Sequence, residues 1–210
     1  MSLALMTRKL YLDEKRFIES DRIRDYCKKL NMDYYVAVRY LLHQRYLIRI
    51  LKGVFYIPSV EERKFDKINI SYLDAISEAL KIKKVGNWYF GLETALKLNN
   101  LTHEYFAVDY VINDKIFRHN TILVLSHKIK FVKLKISLFD FGIRKDGMVR
   151  FSDVEKTILD IVYLSRYNGL SDDEIKNKVL DLLKNCSKRK LLGYAKKYNN
   201  PTYSFMRRLL

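Results

Sequence analysis

Asp153-Val154-Glu155 sets two carboxylates two residues apart, the spacing at which nucleotide-transferring enzymes hold a divalent metal; Asp109, Asp140 or Asp160 offers a third ligand. Such sites present their acids from a strand beside a Gly-Ser turn that holds phosphates, and this chain contains no Gly-Ser dipeptide. The two acids stand instead where an apolar-periodic stretch begins, a position that capping and the helix dipole favour. His103-Glu104 begins like HExxH, but Ala107 occupies the place of the second histidine. GxxxxGK(S/T), GxGxxG and GxSxG are all absent, and His43, His103, His119 and His127 are scattered. The residues therefore read as a non-enzyme with no catalytic group, no metal and no cofactor, against the alternative of a metal-dependent enzyme acting on nucleic acid.

A second set of residues suits contact with a polyanion. Tyr34, Tyr35, Arg39 and His43 fall along one helical pattern, and Arg49 and Lys52 lie on the ribbon that follows it. The elements around them run in the order of a winged helix-turn-helix. Ser20 and Asp21 cap a first helix, in which Ile23, Tyr26, Cys27 and Leu30 recur at three- and four-residue spacing. Asn31 suits the turn, and Asp33 opens the second helix. Along that helix Tyr35, Val38, Leu41, Leu42 and Arg45 follow a period of about 3.6, which leaves Tyr34, Arg39 and His43 flanking or outside. Tyr35 is a groove candidate that the same wheel turns toward the core. Leu47 to Leu51 and Val54 to Ile57 have strand composition and are joined at Lys52-Gly53, where glycine permits a positive φ. Tyr34, Tyr35, Arg39 and His43 are thus expected in a duplex groove, with Arg49 and Lys52 on phosphates. The bland alternative is a helical hairpin and ribbon that only pack.

Charge is unevenly distributed. Residues 1–58 carry twelve Lys/Arg against six Asp/Glu, residues 59–185 twenty-one against eighteen, and residues 186–210 seven against none. The acid-free tail is a second candidate for contact with phosphate or an acidic protein, or else a solvated basic helix. Two cysteines, Cys27 and Cys186, lie far apart with no metal spacing, which fits a reducing cytoplasm, and Cys27 is expected in the core. No apolar run approaches the roughly 18 residues that span a bilayer, so no membrane partner is expected.

Leu3, Leu5, Met6 and Leu10 predict a short first helix, and SVEERKFDKIN, charged and poor in apolar residues, reads as the connector between domains. The boundary is placed near residue 62, giving a DNA-binding domain at 1–62 and an α+β domain at 63–210. In the latter, Ser71 caps a helix that Gly86-Asn87 stops. Trp88 to Phe90 is a short apolar run and Leu92 to Leu98 is helical; YFAVDYVI, TILVLSHKIKFVKLKIS and FDFGI have strand composition. A helix runs from Ser152 to about Tyr167 and breaks at Gly169. Another restarts at Ser171 with a capping box, and two basic helices near 188–198 and 201–209 follow. Ser152 is expected to cap its helix with Glu155 closing the box, and Lys156 and Asp160 to form an exposed pair worth about 0.3 kcal/mol.

Three segments together resemble the AbiEi family, the antitoxins of type IV toxin–antitoxin pairs. KGVFYIP at Lys52 to Pro58 is similar to the family's basic-Gly-x-Tyr-x-x-Pro ending, and YFGLETALKLNNLTH at Tyr89 to His103 to its Tyr-x-Gly-x-x-(Ser/Thr)-Ala-Leu helix. FSDVEKTILDIVY at Phe151 to Tyr163 is similar to its Ser-Asp-x-Glu-Lys-Thr-x-Leu-Asp segment; Asn99-Asn100 departs from the family pattern. The resemblance implies that the N-terminal domain binds double-stranded operator DNA and represses its own operon, and that the C-terminal domain neutralises a nucleotidyltransferase-like toxin. Candidate partner-binding residues are Glu155, Lys156, Asp160, Lys188, Arg189 and Lys190. A palindromic operator would call for a homodimer or paired monomers. A protein-binding module without DNA binding remains the third alternative.

Overall fold

The computed structural model describes residues 2–210. The chain is α+β and divides into two compact units, Met1–Gly86 with Val124–Ser126, and Asn87–Leu123 with His127–Leu210.

In the first unit, α1 (Ser2–Leu12), β1 (Phe17–Glu19), α2 (Ser20–Lys29), α3 (Tyr34–His43), β2 (Ile48–Leu51) and β3 (Val54–Tyr56) precede α4 (Val60–Lys64) and α5 (Tyr72–Ile82). Met6 and Leu10 of α1 bury themselves with Ile23, Tyr26 and Cys27 of α2 and Ala37, Val38 and Leu41 of α3. The strands form an antiparallel sheet in the order β1-β3-β2, so the ribbon's second strand lies in the middle and its three residues are all buried. β1 pairs Phe17 with Tyr56 and Glu19 with Val54. It is only three residues long and carries too little pattern to be read from the sequence. The ribbon turns at Gly53, which has φ +82°.

The unit's main segment runs to Gly86, beyond the expected boundary near residue 62, because the charged connector is part of it. Ser59 accepts from the Glu62 amide and Glu62 accepts from the Ser59 amide, a capping box that starts α4. The Glu62 carboxylate is only 2% exposed. It accepts the Tyr56 hydroxyl at 2.8 and 2.9 Å, the Asn69 amide at 2.7 Å and Arg16 at 3.2 Å. Burial pushes the Glu62 carboxyl up, but the amides of Ser59 and Asn69, the Tyr56 hydroxyl and Arg16 outweigh it and hold the group below its ordinary range. The Tyr56 hydroxyl, buried against that anion, is pushed up to about 12. Further along, Ser71 caps α5 as expected, and α5 packs on β2 and β3. It is stopped by Lys84 at φ +56° rather than by Gly86-Asn87.

The second unit is built on a six-stranded mixed sheet of β4 (Trp88–Gly91), β5 (Asp109–Asn113), β6 (Ile122–Val124), β7 (His127–Lys133), β8 (Ile143–Asp146) and β9 (Val149–Ser152), in the order β6-β7-β5-β4-β9-β8. β5 runs parallel to β7 and β4 parallel to β9; β4–β5 and β8–β9 are antiparallel. Its helices are α6 (Leu92–Leu98), α7 (Val154–Tyr167), α8 (Asp172–Val179), α9 (Lys188–Ala195) and α10 (Asn200–Leu209). FDFGI is not a strand: it follows a 3-10 turn over Ile136–Leu138, and β8 begins only at Ile143. Tyr105 to Val108 also stay outside β5. Ile129 and Phe131 of β7 are buried while Lys128 is exposed, the alternation its composition predicts.

Gly91 is required by close approach, since a Cβ there would collide with the Ile112 side chain. Asn100, at φ +56°, ends α6 in a conformation that asparagine tolerates. Asn99 ties that end to β9, donating to the carbonyls of Ala95 (2.7 Å) and Ser152 (2.8 Å) and accepting from Arg144 (3.1 Å).

Candidate functional site

α3 is capped by Asp33, whose carboxylate accepts the Val36 amide at 2.9 Å. Ala37, Val38 and Leu41 turn inward, and the opposite face carries Tyr35, Val36, Arg39 and His43, all exposed. Tyr35 is 73% exposed and therefore lies outside the core stripe on which its spacing places it. Arg45 leaves that stripe as well: at φ +56° it lies past the helix end and pairs with Asp66. Tyr34 is half-buried. Its hydroxyl donates to Ser20 Oγ at 3.1 Å, its ring meets that of Tyr35 edge-on at 5.3 Å, and the Arg24 guanidinium lies 4.2 Å above it.

Ser20 joins this cluster to the ribbon. The expected capping role is not taken, because α2 follows Glu19 with no side-chain cap; instead the Ser20 amide donates to the Gly53 carbonyl at 2.9 Å. The ribbon tip thus rests against the start of α2, one side chain away from the first turn of α3. Lys83, from the end of α5, completes the group: its Nζ would stand 4.0 Å from a Cβ placed on Gly53. Tyr34, Tyr35 and Lys52 are therefore brought to one place, with Arg39 and His43 continuing along α3. Arg49 stays exposed on β2, its guanidinium 5.5 Å over the Phe55 ring. Arg24 and Lys83 were missed from the sequence. Arg24 sits one helical turn after Ser20, a spacing visible in the chain, but Lys83 has no local signal because only the packing of α5 on the ribbon brings it there.

The residues singled out in the second unit have another fate. Lys156 and Asp160 are fully buried, not an exposed pair, with Nζ and Oδ1 3.8 Å apart. Lys156 Nζ donates to the Leu138 carbonyl at 2.7 Å and lies 4.4 Å from the Phe141 ring. Asp160 accepts the hydroxyls of Tyr198 (2.6 Å) and Tyr89 (2.8 Å). Burial pushes the Lys156 ammonium down and the Asp160 carboxyl up, against the attraction between them. The cap of α7 is Asp153, accepting the Lys156 amide at 2.8 Å. Ser152 closes β9 and shares a hydrogen bond with Thr157 at 2.7 Å.

Glu155 closes no box. It accepts the Ser187 amide and Lys190 Nζ, both at 2.9 Å, and Asp153 lies 2.9 Å from the same ammonium. Burial works against the Lys190 ammonium, but these two carboxylates hold its proton well above the usual range. Lys188-Arg189-Lys190 form the first turn of α9, where the helix dipole disfavours cations, and Glu155 with Asp153 supplies the compensating negative charge. The space between the two acids is thereby filled by an ammonium. Asp109 is engaged with Thr94 at 3.1 Å and Lys97 at 3.5 Å, and among the described residues no three His, Cys, Asp or Glu converge on a possible metal position. Lys188 and Arg189 stay exposed. Among the described residues no helix is long and apolar enough to cross a membrane.

No protein-family model and no curated protein match this chain. Among solved structures, the RV2827C protein from Mycobacterium tuberculosis is similar in fold, with a TM-score of 0.57 at 13% identity, covering 97% of this chain and 74% of that one.

Proposed function

We propose that the first unit is a winged helix-turn-helix that binds double-stranded operator DNA, with α3 in the major groove and the β2–β3 ribbon on the adjoining backbone. The observation that carries the reading is the contact chain from Gly53 through Ser20 to Tyr34, which sets the basic ribbon tip beside the first turn of α3. Tyr35, Arg39 and His43 then face the groove, and Lys52 and Lys83 lie where phosphates would pass. Among the described residues Arg39 has no hydrogen-bond, ion-pair or ring partner and is exposed, so its guanidinium is available for a guanine edge.

In this reading the protein is a non-enzymatic autorepressor resembling an AbiEi antitoxin, and the second unit binds a nucleotidyltransferase-like toxin. Lys188 and Arg189 are the exposed candidates for that contact; Glu155, Lys156, Asp160 and Lys190 serve the fold. We place no metal chemistry on Asp153 and Glu155, because Lys190 holds both. Two copies one helical turn apart would read a palindrome.

The test is retardation of a duplex carrying the region upstream of the protein's own gene. The expected result is binding that exceeds binding to random duplex and weakens steeply with salt. Failure to retard any duplex at low salt would remove the proposal.

A further inference from the structure

Val36 is an apolar side chain where the fold has no use for one. It is the third residue of α3 and 62% exposed, while its neighbours Ala37 and Val38 fill the core. A β-branched residue on the solvent face of a helix loses rotamer freedom without gaining burial. Arg39 stands three residues on, on the same side, and Tyr35 is braced beside it by the Tyr34 ring.

We propose that Val36 is a specificity-determining residue whose isopropyl group packs on the 5-methyl of a thymine, next to a guanine held by Arg39. The inference rests on the DNA-binding reading above and deepens it. Thymine alone shows the major groove an apolar group, and guanine shows the paired N7 and O6 acceptors that suit a guanidinium. Three residues of helix advance about 4.5 Å, a little more than one base-pair step of about 3.4 Å. The thymine and the guanine therefore lie one or two steps apart. Lys52 and Lys83, basic and grouped at the ribbon tip, favour a polyanion over an apolar protein as the occupant of this face.

The experiment selects duplexes from a random library with the full chain, then replaces single thymines of the enriched duplex by deoxyuridine, which lacks only the methyl. At one thymine per half-site the replacement is expected to weaken wild-type binding about fourfold, the worth of one methyl removed from water. Val36→Ala should bind the two forms equally, and Val36→Thr, which keeps a methyl on the same carbon, should retain most of the discrimination; unchanged thermal melting of both variants confirms their fold. Equal deoxyuridine effects in wild type and Val36→Ala, or no sensitive thymine within two base pairs of the guanine sensed by Arg39, would overturn this inference alone. If no duplex is enriched or retarded, the DNA reading fails and this one with it.

Discussion

α3 and α7 each carry polar side chains at four-residue spacing, Tyr35-Arg39-His43 on one and Lys156-Asp160 on the other, and the two sets end in opposite environments. Those of α3 face solvent, because that helix packs along one side only. Those of α7 are buried, because α8, α9 and α10 pack around a helix that also lies on β9. The same spacing is therefore a solvent-exposed face in one unit and an internal brace in the other. What separates them is the set of hydrogen bonds waiting inside: Tyr89, Tyr198 and the Leu138 carbonyl satisfy the α7 pair, while none of the described residues satisfies Arg39. The charge of Arg39 is met by solvent, and the charges of Lys156 and Asp160 are met by the fold.

The largest effect should come from breaking the brace. Lys156→Ala leaves Asp160 buried without its cation and is expected to destabilise the protein by about 3–5 kcal/mol, measured by urea denaturation. Lys156→Met with Asp160→Asn, which removes both charges and keeps an acceptor for one of the two tyrosine hydroxyls, should cost less than the two single changes together. Additive costs would show that the two residues are not coupled.

A smaller loss is expected at Glu62, the buried carboxylate of the first unit. Glu62→Gln should cost about 1–3 kcal/mol near neutral pH. The folded-state pKa of Glu62 lies below its ordinary 4.5, so its contribution is complete above that value and declines as pH falls through the lowered one. The wild type should accordingly lose its advantage over Glu62→Gln in acid, and a constant gap down to pH 2 would contradict the assignment.

On the exposed side the effects should appear in binding and not in stability. Arg39→Ala is expected to weaken operator binding by about 1–3 kcal/mol while shifting unfolding by no more than about 0.5 kcal/mol. A stability loss matching that of Lys156→Ala would place Arg39 with the braces. Lys52→Ala and Lys83→Ala should have the mildest effect. Each should lower affinity for all sequences alike and flatten the logarithmic salt dependence by about one. A sequence-dependent loss at either lysine would put it in the groove rather than on the backbone.

Local features of this fold could be read directly from the chain. Gly53 and Gly169 lie at positive φ where the chain turns, Asp33 and Ser71 cap α3 and α5, and Ser171 with Glu174 forms the capping box of α8. Each of these depends on atoms within a few residues. The same kind of signal was present at Ser59 and Glu62, but the surrounding charges made the segment look like a connector. Nothing within the segment reveals that Tyr56, Asn69 and Arg16 surround that carboxylate.

Helical period, strand composition and turn chemistry were determined by the sequence itself, because each is a property of short stretches of backbone. Which charges went inside, where Lys83 came to rest and how Lys190 filled the gap between Asp153 and Glu155 were decided by tertiary structure. Burial and pairing depend on residues far away in the chain, and a carboxylate or ammonium has the same identity whether water or a ring of tyrosines surrounds it.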